Sequence, residues 1–316
     1  MGAIPKVESI WIDGEFVPWD DARVHVTAHC LHYGTGVFEG LRSYETANGP
    51  AVFRLDAHMK RFKNSAEIYQ IDIPYSLYDL QQATLELVAL NRLGNAYIRP
   101  IAFNGVHSLD IWPRDCPVVI AIAAWPRGEY LGRKGIEEGV RVMFSSVRRF
   151  HASMIPTSGK ACGQYINSVL AVQEAQKKGF DEAILLNMEG DVAEGSGENL
   201  FLVKDGILIT NDADASILMG ITREAILRIS GDKGIPVEIR PISQDDVLLA
   251  DELFFSGTAV EVTPIRQVGD KTISDGQCGP VTETIQTTFF DTVHGRTSEY
   301  SHWLSYVSER KEVTAS

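Results

Sequence analysis

Cysteine is scarce in this sequence, and long apolar runs are missing. The 316 residues include four cysteines, which lie far apart and form no CxxC pair. Neither a disulfide framework nor a thiolate metal site is therefore expected. No apolar run approaches the roughly 20 residues that cross a bilayer, and the first residues, MGAIPKVESIWIDGEF, lack the basic-then-apolar order of a secretory signal. These absences predict a cytoplasmic protein that does not enter a membrane.

An excess of basic residues is also missing. The chain has 29 Lys and Arg against 42 Asp and Glu, which gives a formal net charge of -13. Nucleic acids require a basic binding face, so we exclude them as partners and expect a small molecule. The eight histidines form no HxH or HExxH spacing, and no metal site is predicted.

The length favours two domains, and the patterns are of mixed α+β type. We predict a small N-terminal domain over residues 1–126, an interdomain loop over 127–139, and a larger C-terminal domain over 140–316. In the first domain, Asp13-Gly14 predicts a tight hairpin, apolar spacing predicts helices over 54–69 and 75–94, and 95–105 and 117–126 are typical of strands.

The second domain has the same mixed character. Helical spacing runs over 166–178, where Gly179 ends it, and Asp205-Gly206 predicts a second hairpin. Ser243 and Asp246 have the spacing of a capping box at the start of a further helix.

A lysine lies on a short, small-residue turn, TSGKACGQYINS. Gly159 and Gly163 flank Lys160 and would let the backbone approach a bulky ligand. A phosphate-binding P-loop is excluded, because Met154 and Ala161 stand where it needs glycine and a hydroxyl residue. On this stretch alone, a solvated lysine in a glycine turn is an equal alternative.

Two carboxylates, Glu194 and Glu198, flank a Gly-Ser-Gly turn in VAEGSGENLFLV. A dinucleotide fingerprint would need glycine at Leu200 and a following helix, so it is absent. A lysine that binds pyridoxal phosphate as a Schiff base calls for a carboxylate that keeps the pyridine nitrogen protonated. Glu194 could supply it, although both glutamates also fit a simple turn.

Such a cofactor also needs donors for its phosphate. Thr222 follows a glycine where a helix is predicted to begin, and helix N-termini attract anions. Ser256-Gly257-Thr258 forms a second turn of the same chemistry, and Arg61 could add a cation. Each feature alone also fits an ordinary cap, loop or surface arginine.

Taken together, these segments resemble the fold-type IV pyridoxal-phosphate enzymes, and most closely the branched-chain amino-acid aminotransferases. The resemblance covers nearly the whole chain and rests on LHYGTGVFEGLRSY, HMKRF, AYIRP, SGKACGQYINS, EGSGENLF, GITRE, SGTAVEVTPI and CGPVT. It implies an α+β fold with a small α/β N-terminal domain and a larger C-terminal pseudo-barrel α/β domain. It also implies a homo-oligomer, a homodimer at least, with a hexamer as the larger form.

The resemblance implies roles for individual residues. Lys160 is the catalytic residue and forms the Schiff base with pyridoxal 5'-phosphate. The other implied cofactor-binding residues are Arg61, Tyr165, Glu194, Leu218, Gly220, Ile221, Thr222, Gly257 and Thr258. The implied substrate-binding residues are Tyr33, Phe38, Gly40, Arg42, Tyr97, Arg99, Tyr130, Thr258 and Ala259.

The implied reaction is a reversible, ping-pong amino transfer between L-leucine, L-isoleucine or L-valine and 2-oxoglutarate. Arg99 would pair with the glutamate carboxylate, while aliphatic side chains rest on Phe38 and the tyrosines. The loop GVHSLDIWP departs from the family pattern and leaves the substrate range open. D-amino-acid and (R)-selective amine transaminases, an aminodeoxychorismate lyase and a silent cofactor-binding protein remain as alternatives.

Overall fold

The computed structural model describes residues 3–128 and 132–308. The first of these ranges contains both strands and helices. They are β1 (Ser9–Ile12), β2 (Glu15–Pro18), α1 (His29–Tyr33), β3 (Gly36–Phe38), β4 (Leu41–Tyr44), β5 (Ala51–Phe53), α2 (Leu55–Ile68), α3 (Leu77–Leu90), β6 (Ala96–Asn104) and β7 (Val118–Pro126).

The second range continues the mixed pattern. Its elements are α4 (Gly132–Glu138), β8 (Val140–Phe144), α5 (Tyr165–Lys177), β9 (Glu182–Leu186), β10 (Val192–Gly195), β11 (Asn199–Lys204), β12 (Ile207–Thr210), α6 (Ile221–Asp232), β13 (Val237–Ile239), α7 (Gln244–Leu248), β14 (Glu252–Gly257), β15 (Glu261–Val268), β16 (Lys271–Thr272), α8 (Pro280–Val293) and β17 (Leu304–Tyr306).

The chain forms two compact units. The first, called unit 1, consists of Met1–Gly128, Gly159–Gly163 and Asp291–Ser316. Its sheet has the strand order β17-β5-β4-β6-β7-β1-β2, and β3 pairs with β6. Side chains of α2 and α3, among them Met59, Phe62 and Leu87, pack in one core with Ile98 of β6 and Ile120 of β7.

The other face of the unit 1 sheet is more open. Successive strand residues point to opposite faces, so Tyr97, Arg99, Ile101 and Phe103 of β6 share the side away from Ile98. Although β7 is a continuous apolar run, Val119, Ala121 and Ala123 on this face are only half-buried. These small side chains border an apolar cavity of about 570 Å³.

The second unit, called unit 2, consists of Glu129–Ser158 and Gln164–Phe290. Its sheet has the order β10-β9-β8-β15-β14-β11-β12-β13, and β16 pairs with β15. The strand pairs β8–β9, β8–β15 and β12–β13 are parallel. The sheet core includes Val142, Ile184, Leu200, Phe255 and Ile265.

Local predictions agree closely with the observed elements. Asp13 and Gly14 both have positive φ, 47° and 98°, as a type I′ hairpin requires. Asp205 and Gly206 repeat this with φ of 51° and 77°. The capping box of Ser243 and Asp246 is present at α7.

The boundaries between the units differ from the expected ones. The segment 127–139 contains the helix α4, so it is not all loop as predicted. The sequence of α4 itself has two glycines and one apolar residue, Ile136, and so no helical period. The Ile136 carbonyl nevertheless accepts a hydrogen bond from the side-chain amide of Gln286 of α8, 3.1 Å away. The chain also returns to unit 1 at 159–163 and again from residue 291, which the expected boundaries did not include.

The cysteines are free thiols, with Cys116 buried and the other three half-buried. Over residues 3–128 and 132–308, no helix is long and apolar enough to span a membrane. In the same part of the chain, no three His, Cys, Asp or Glu side chains are placed to share a metal ion.

Candidate active site

The lysine turn is held by backbone hydrogen bonds inside unit 1. The Lys160 N–H donates to Oγ of Ser65 on α2 at 3.0 Å. The Lys160 carbonyl accepts the N–H of Phe38 at 3.0 Å, and Ala161 forms an isolated antiparallel bridge with Val37. The backbone at Lys160 is therefore fixed on both sides, to a helix and to a strand.

The glycines beside the lysine serve close packing. Neither Gly159 nor Gly163 has positive φ, so the backbone conformation does not require glycine at these positions. A Cβ on Gly159 would come within 2.8 Å of the Tyr69 ring. At the other end, Gly163 donates its N–H to the Gly34 carbonyl at 3.2 Å. A Cβ on Gly34 would approach the Gly163 Cα to 2.7 Å. The turn is bare because other parts of unit 1 come so close to it.

Several predicted substrate residues lie together near the lysine amine. Nζ of Lys160 is 5.1 Å from the centre of the Phe38 ring, and the Arg99 guanidinium lies 4.6 Å from the same ring centre. Arg99 also donates to the Tyr97 hydroxyl at 3.1 Å. A Cβ on Gly40 would overlap that hydroxyl. Unit 1 thus brings Lys160, Phe38, Gly40, Tyr97 and Arg99 into one cluster.

The remaining predicted residues of unit 1 contact backbone. Arg42 is buried and donates to the carbonyls of Arg127 and Gly128. Tyr33, which is half-exposed, donates its hydroxyl to the Leu109 carbonyl at 2.9 Å. Buried His29 of α1 contacts the Asp110 carbonyl through Nε2 at 2.8 Å, so α1 anchors the loop whose sequence left the substrate range open. Tyr130 lies outside the described residues.

Arg61 belongs to a buried charged cluster that includes two residues the sequence did not single out. Glu39 accepts hydrogen bonds from Nε of Arg61 at 2.5 Å and from its Nη2 at 3.0 Å. Nδ1 of His58 lies 2.8 Å from Oε2 of Glu39. The side chains of Glu39 and His58 are 0% and 1% exposed, and that of Arg61 is 15% exposed.

The charges in this cluster follow from burial and contact. Burial raises the pKa of Glu39, but the Arg61 charge and the hydrogen bonds from His58 and Arg61 outweigh it and hold the pKa well below its usual value. Burial lowers the pKa of His58, and the Arg61 and Lys160 charges lower it further against the opposing effect of Glu39. At neutral pH, Glu39 is therefore ionised and His58 is neutral.

Unit 2 contains the predicted carboxylate, also paired with an arginine. Glu194, on β10, lies 3.0 Å from Nη2 of Arg149 through Oε1. Its Oε2 accepts the Leu218 N–H at 3.1 Å. Arg149 donates from Nε to the Ser216 carbonyl at 3.3 Å, and both charged side chains are buried. Arg149 was missed, although a buried carboxylate requires a partner and this arginine lies near the lysine turn in sequence.

The start of α6 lies next to Leu218. Gly220 is the N-cap and, in the described structure, no side chain caps this helix, whose first residues Ile221 and Thr222 are buried. Asn199 donates to the Leu218 carbonyl at 2.9 Å, and its Oδ1 occupies the space that a Cβ on Gly220 would need. The segment 218–220 is thereby fixed beside the helix end.

The other predicted residues of unit 2 lie at element ends. Gly257 is the last residue of β14, Thr258 and Ala259 lie in the turn before β15, and Tyr165 begins α5. In the part of the chain described, the buried Ser256 hydroxyl next to Gly257 has no hydrogen-bond partner. Glu198 is buried and accepts the Gly197 N–H at 2.9 Å.

The family model named Amino-transferase class IV matches residues 36–268, which include the lysine turn and the Glu194 strand. The chain is a class IV aminotransferase. The enzyme is 47% identical over 298 residues to the branched-chain-amino-acid aminotransferase of Pseudomonas aeruginosa, covering 94% of this chain and 97% of the relative. The resemblance inferred from the sequence is confirmed.

Solved structures also match the enzyme. The Escherichia coli branched-chain amino acid aminotransferase superposes with a TM-score of 0.94 at 44% identity, over 96% of this chain and 100% of that one. The T.th. branched-chain amino acid aminotransferase complexed with N-(5'-phosphopyridoxyl)-L-glutamate gives a TM-score of 0.92 at 43% identity, over 96% and 99%. The predicted two-domain α+β fold of fold type IV is confirmed as well.

Proposed function

We propose that this aminotransferase is a branched-chain amino-acid transaminase, which exchanges amino groups reversibly between L-leucine, L-isoleucine or L-valine and 2-oxoglutarate. The observation that carries the proposal is the fixed backbone of Lys160, whose amine lies 5.1 Å from the centre of the Phe38 ring. The relatives named branched-chain aminotransferases support the substrate class.

We propose pyridoxal 5'-phosphate as the cofactor, because the residues present suit its chemical groups. Lys160 is the amine to which it attaches, and Glu194 is a buried carboxylate for its ring nitrogen. Uncapped N–H groups at the start of α6 suit a phosphate, as do the Thr222 and Thr258 hydroxyls and Arg61. The T.th. relative binds a phosphopyridoxyl compound. When bound, the cofactor supplies an electron sink for the carbanion formed at the substrate Cα.

Different side chains of the protein have different roles in the reaction. The Lys160 amine takes the proton from the substrate Cα and later returns a proton, so one group acts as base and acid. Glu194 would hold the proton on the ring nitrogen of the cofactor, and Arg149, whose Nη2 lies 3.0 Å from Oε1 of Glu194, orients this carboxylate. Tyr165, at the start of α5, would hold the phenolic oxygen of the cofactor by donating its hydroxyl.

The substrate side chain rests on Phe38 and Tyr97, which is an apolar surface suited to leucine, isoleucine and valine. The second substrate has a charged side chain, and a buried carboxylate without a partner is costly. Arg99 meets this need, since its guanidinium is held over the Phe38 ring and beside the Tyr97 hydroxyl. The glutamate part of the compound bound by the T.th. relative supports 2-oxoglutarate as the amino acceptor.

We also propose a homodimer as the smallest assembly. On α5 of unit 2, Ile166, Val169 and Leu170 are 64%, 45% and 49% exposed and share one helix face. In unit 1, Ile111 and Trp112 are 79% and 63% exposed. Apolar surface of this kind is typical of interaction sites. Light scattering of the purified enzyme distinguishes monomer, dimer and hexamer. The cytoplasmic location stays a prediction.

The absorption spectrum of the purified enzyme tests the proposal. After incubation with pyridoxal phosphate, the wild type and Lys60→Ala should show a visible band, and Lys160→Ala should lack it. Lys60 is a matched control because it is an exposed lysine of α2 in unit 1. L-leucine should bleach the band, and 2-oxoglutarate should restore it.

Other outcomes of this experiment would lead to a different functional assignment. Bleaching by D-alanine or (R)-1-phenylethylamine but not by L-leucine would assign the enzyme to the D-amino-acid or (R)-amine transaminases. A wild type that develops no band would refute the proposed cofactor.

A further inference from the structure

Glu39 is a fully buried carboxylate with no role in the transfer chemistry described above. Its oxygens accept hydrogen bonds from Nε and Nη2 of Arg61, and the Gly40 N–H approaches Oε2 at 3.1 Å. Nδ1 of His58 completes the cluster at 2.8 Å. A buried carboxylate is retained only where its neighbours satisfy it, and here one arginine supplies two of the four hydrogen bonds.

The contact between Glu39 and Arg61 is of the bidentate type, which fixes the orientation of the guanidinium. Two adjacent nitrogens of the planar guanidinium meet the two oxygens of one carboxylate, which sets the plane and the rotation of the guanidinium together. Arg61 is 15% exposed at its side chain, so the group is not wholly enclosed by the cluster that orients it. A single hydrogen bond would leave this plane free to turn.

The same framework also holds the lysine. His58, Arg61 and Ser65 recur at helical spacing on α2, and Ser65 accepts the Lys160 N–H. Glu39 directly follows Phe38, whose N–H donates to the Lys160 carbonyl. Glu39 therefore joins the strand segment that holds the lysine backbone to the helix that carries the arginine.

We propose that Glu39 is a positioning residue, which holds the Arg61 guanidinium in the orientation that receives the phosphate of the cofactor. This inference rests on the proposed function, because it requires pyridoxal phosphate as the ligand. The Glu39 side chain is fully buried, so its effect would reach the ligand only through Arg61.

The experiment compares two ligands that differ only in the phosphate. Apparent dissociation constants for pyridoxal phosphate and for pyridoxal are measured by titrating the cofactor-free full-length enzyme and following the visible band. Glu39→Gln keeps the shape of the side chain and removes its charge. We expect this variant to bind pyridoxal phosphate about 10–100-fold more weakly, which is the loss of affinity seen when a residue that orients a metal ligand is removed. Its affinity for pyridoxal should match that of the wild type.

Two further variants make the test specific. Arg61→Ala should show the same selective loss, and Glu39→Gln should add nothing to it in the double variant, because both act on one contact. Asp20→Asn, which removes the carboxylate of the exposed Lys6–Asp20 pair, should leave both affinities unchanged. If circular dichroism shows that Glu39→Gln does not fold, Glu39→Asp replaces it, since the shorter side chain keeps the charge but withdraws it from α2.

The outcomes separate this inference from the proposed function. An equal loss for both ligands, no loss for either, or a further selective loss in the double variant would overturn the positioning role while leaving the cofactor assignment intact. A wild type that binds neither ligand would overturn the proposed function and this inference with it.

Discussion

Replacing Arg149 with methionine should leave the Glu194 carboxylate buried in unit 2 without the guanidinium that lies 3.0 Å away. Methionine has a long apolar side chain, so the change removes charge and hydrogen bonds more than volume. Removing one partner of a buried ion pair costs about 3–5 kcal/mol. Because Glu194 keeps the Leu218 N–H at 3.1 Å, we expect a loss near the lower limit, about 3 kcal/mol.

Urea unfolding of the cofactor-free enzyme measures this loss. The five tryptophans are residues 11, 19, 112, 125 and 303, which all belong to unit 1. Tryptophan fluorescence therefore follows unit 1, whereas far-ultraviolet circular dichroism follows both units. The dichroism transition should move to lower urea in Arg149→Met. The fluorescence transition should follow it only if the two units unfold together.

Two further variants test whether the unpaired charge of buried Glu194 causes the loss of stability in Arg149→Met. Arg149→Met/Glu194→Gln removes both charges, so the interaction energy from the double-mutant cycle should be about 2–3 kcal/mol. Arg148→Met changes the adjacent, exposed arginine and should stay within about 0.5 kcal/mol of the wild type. A loss below about 1 kcal/mol in Arg149→Met, or additive losses in the double variant, would refute the idea that Arg149 compensates Glu194.

The remaining predictions concern one carboxyl of unit 2 and one glycine of unit 1. Burial raises the pKa of Glu182 to about 7 against the hydrogen bonds from Ala183 and Ser196. Because the folded state favours the neutral form of Glu182, this residue contributes to the free energy of unfolding. The contribution is fully present below the unfolded-state pKa near 4.5 and is lost as pH rises through about 7. Glu182→Gln should remove this loss and raise stability at pH 8 by up to about 3 kcal/mol, and thermal unfolding from pH 5 to pH 8 checks it. An equal difference between variant and wild type at every pH would contradict the prediction. Gly40→Ala should raise the KM for L-leucine by about tenfold or more, because its Cβ displaces the Tyr97 hydroxyl and overpacking costs about 1–3 kcal/mol. Gly231→Ala, where a Cβ meets nothing within 4 Å, should leave KM unchanged, and an unaltered KM in Gly40→Ala would show that Tyr97 does not border the substrate.

The sequence predicts what is encoded locally. Asp13-Gly14 specifies its turn because both residues tolerate positive φ, and the helix of Ser243 begins where its side chain can cap it. Lys160 and Glu194 were found because the cofactor chemistry demands an amine and a carboxylate, although their roles stay predictions. Residue type and short spacing carry all of this information.

What the sequence did not predict depends on partners far away in the chain. Glu39 and His58 are 19 residues apart, and only the packing of α2 on the sheet makes them neighbours. Arg149 resembles a surface arginine until folding buries Glu194 against it. The helix α4 is likewise supported by Gln286 rather than by its own sequence. Such partners have no local signal, because tertiary contact selects them.

The assembly of unit 1 from three separate stretches has a consequence for synthesis on the ribosome. β17, near the end of the chain, pairs with β5, and the lysine turn bridges to β3 from a stretch 95 residues beyond Ser65. A nascent chain that ends at residue 128 therefore leaves the β5 edge open, and open edges invite aggregation. Contacts this distant in sequence form slowly. Of the two units, unit 1 thus begins first and is completed last. The backbone of Lys160 can form its hydrogen bonds only when residue 160 has been synthesised, long after its partners Ser65 and Phe38.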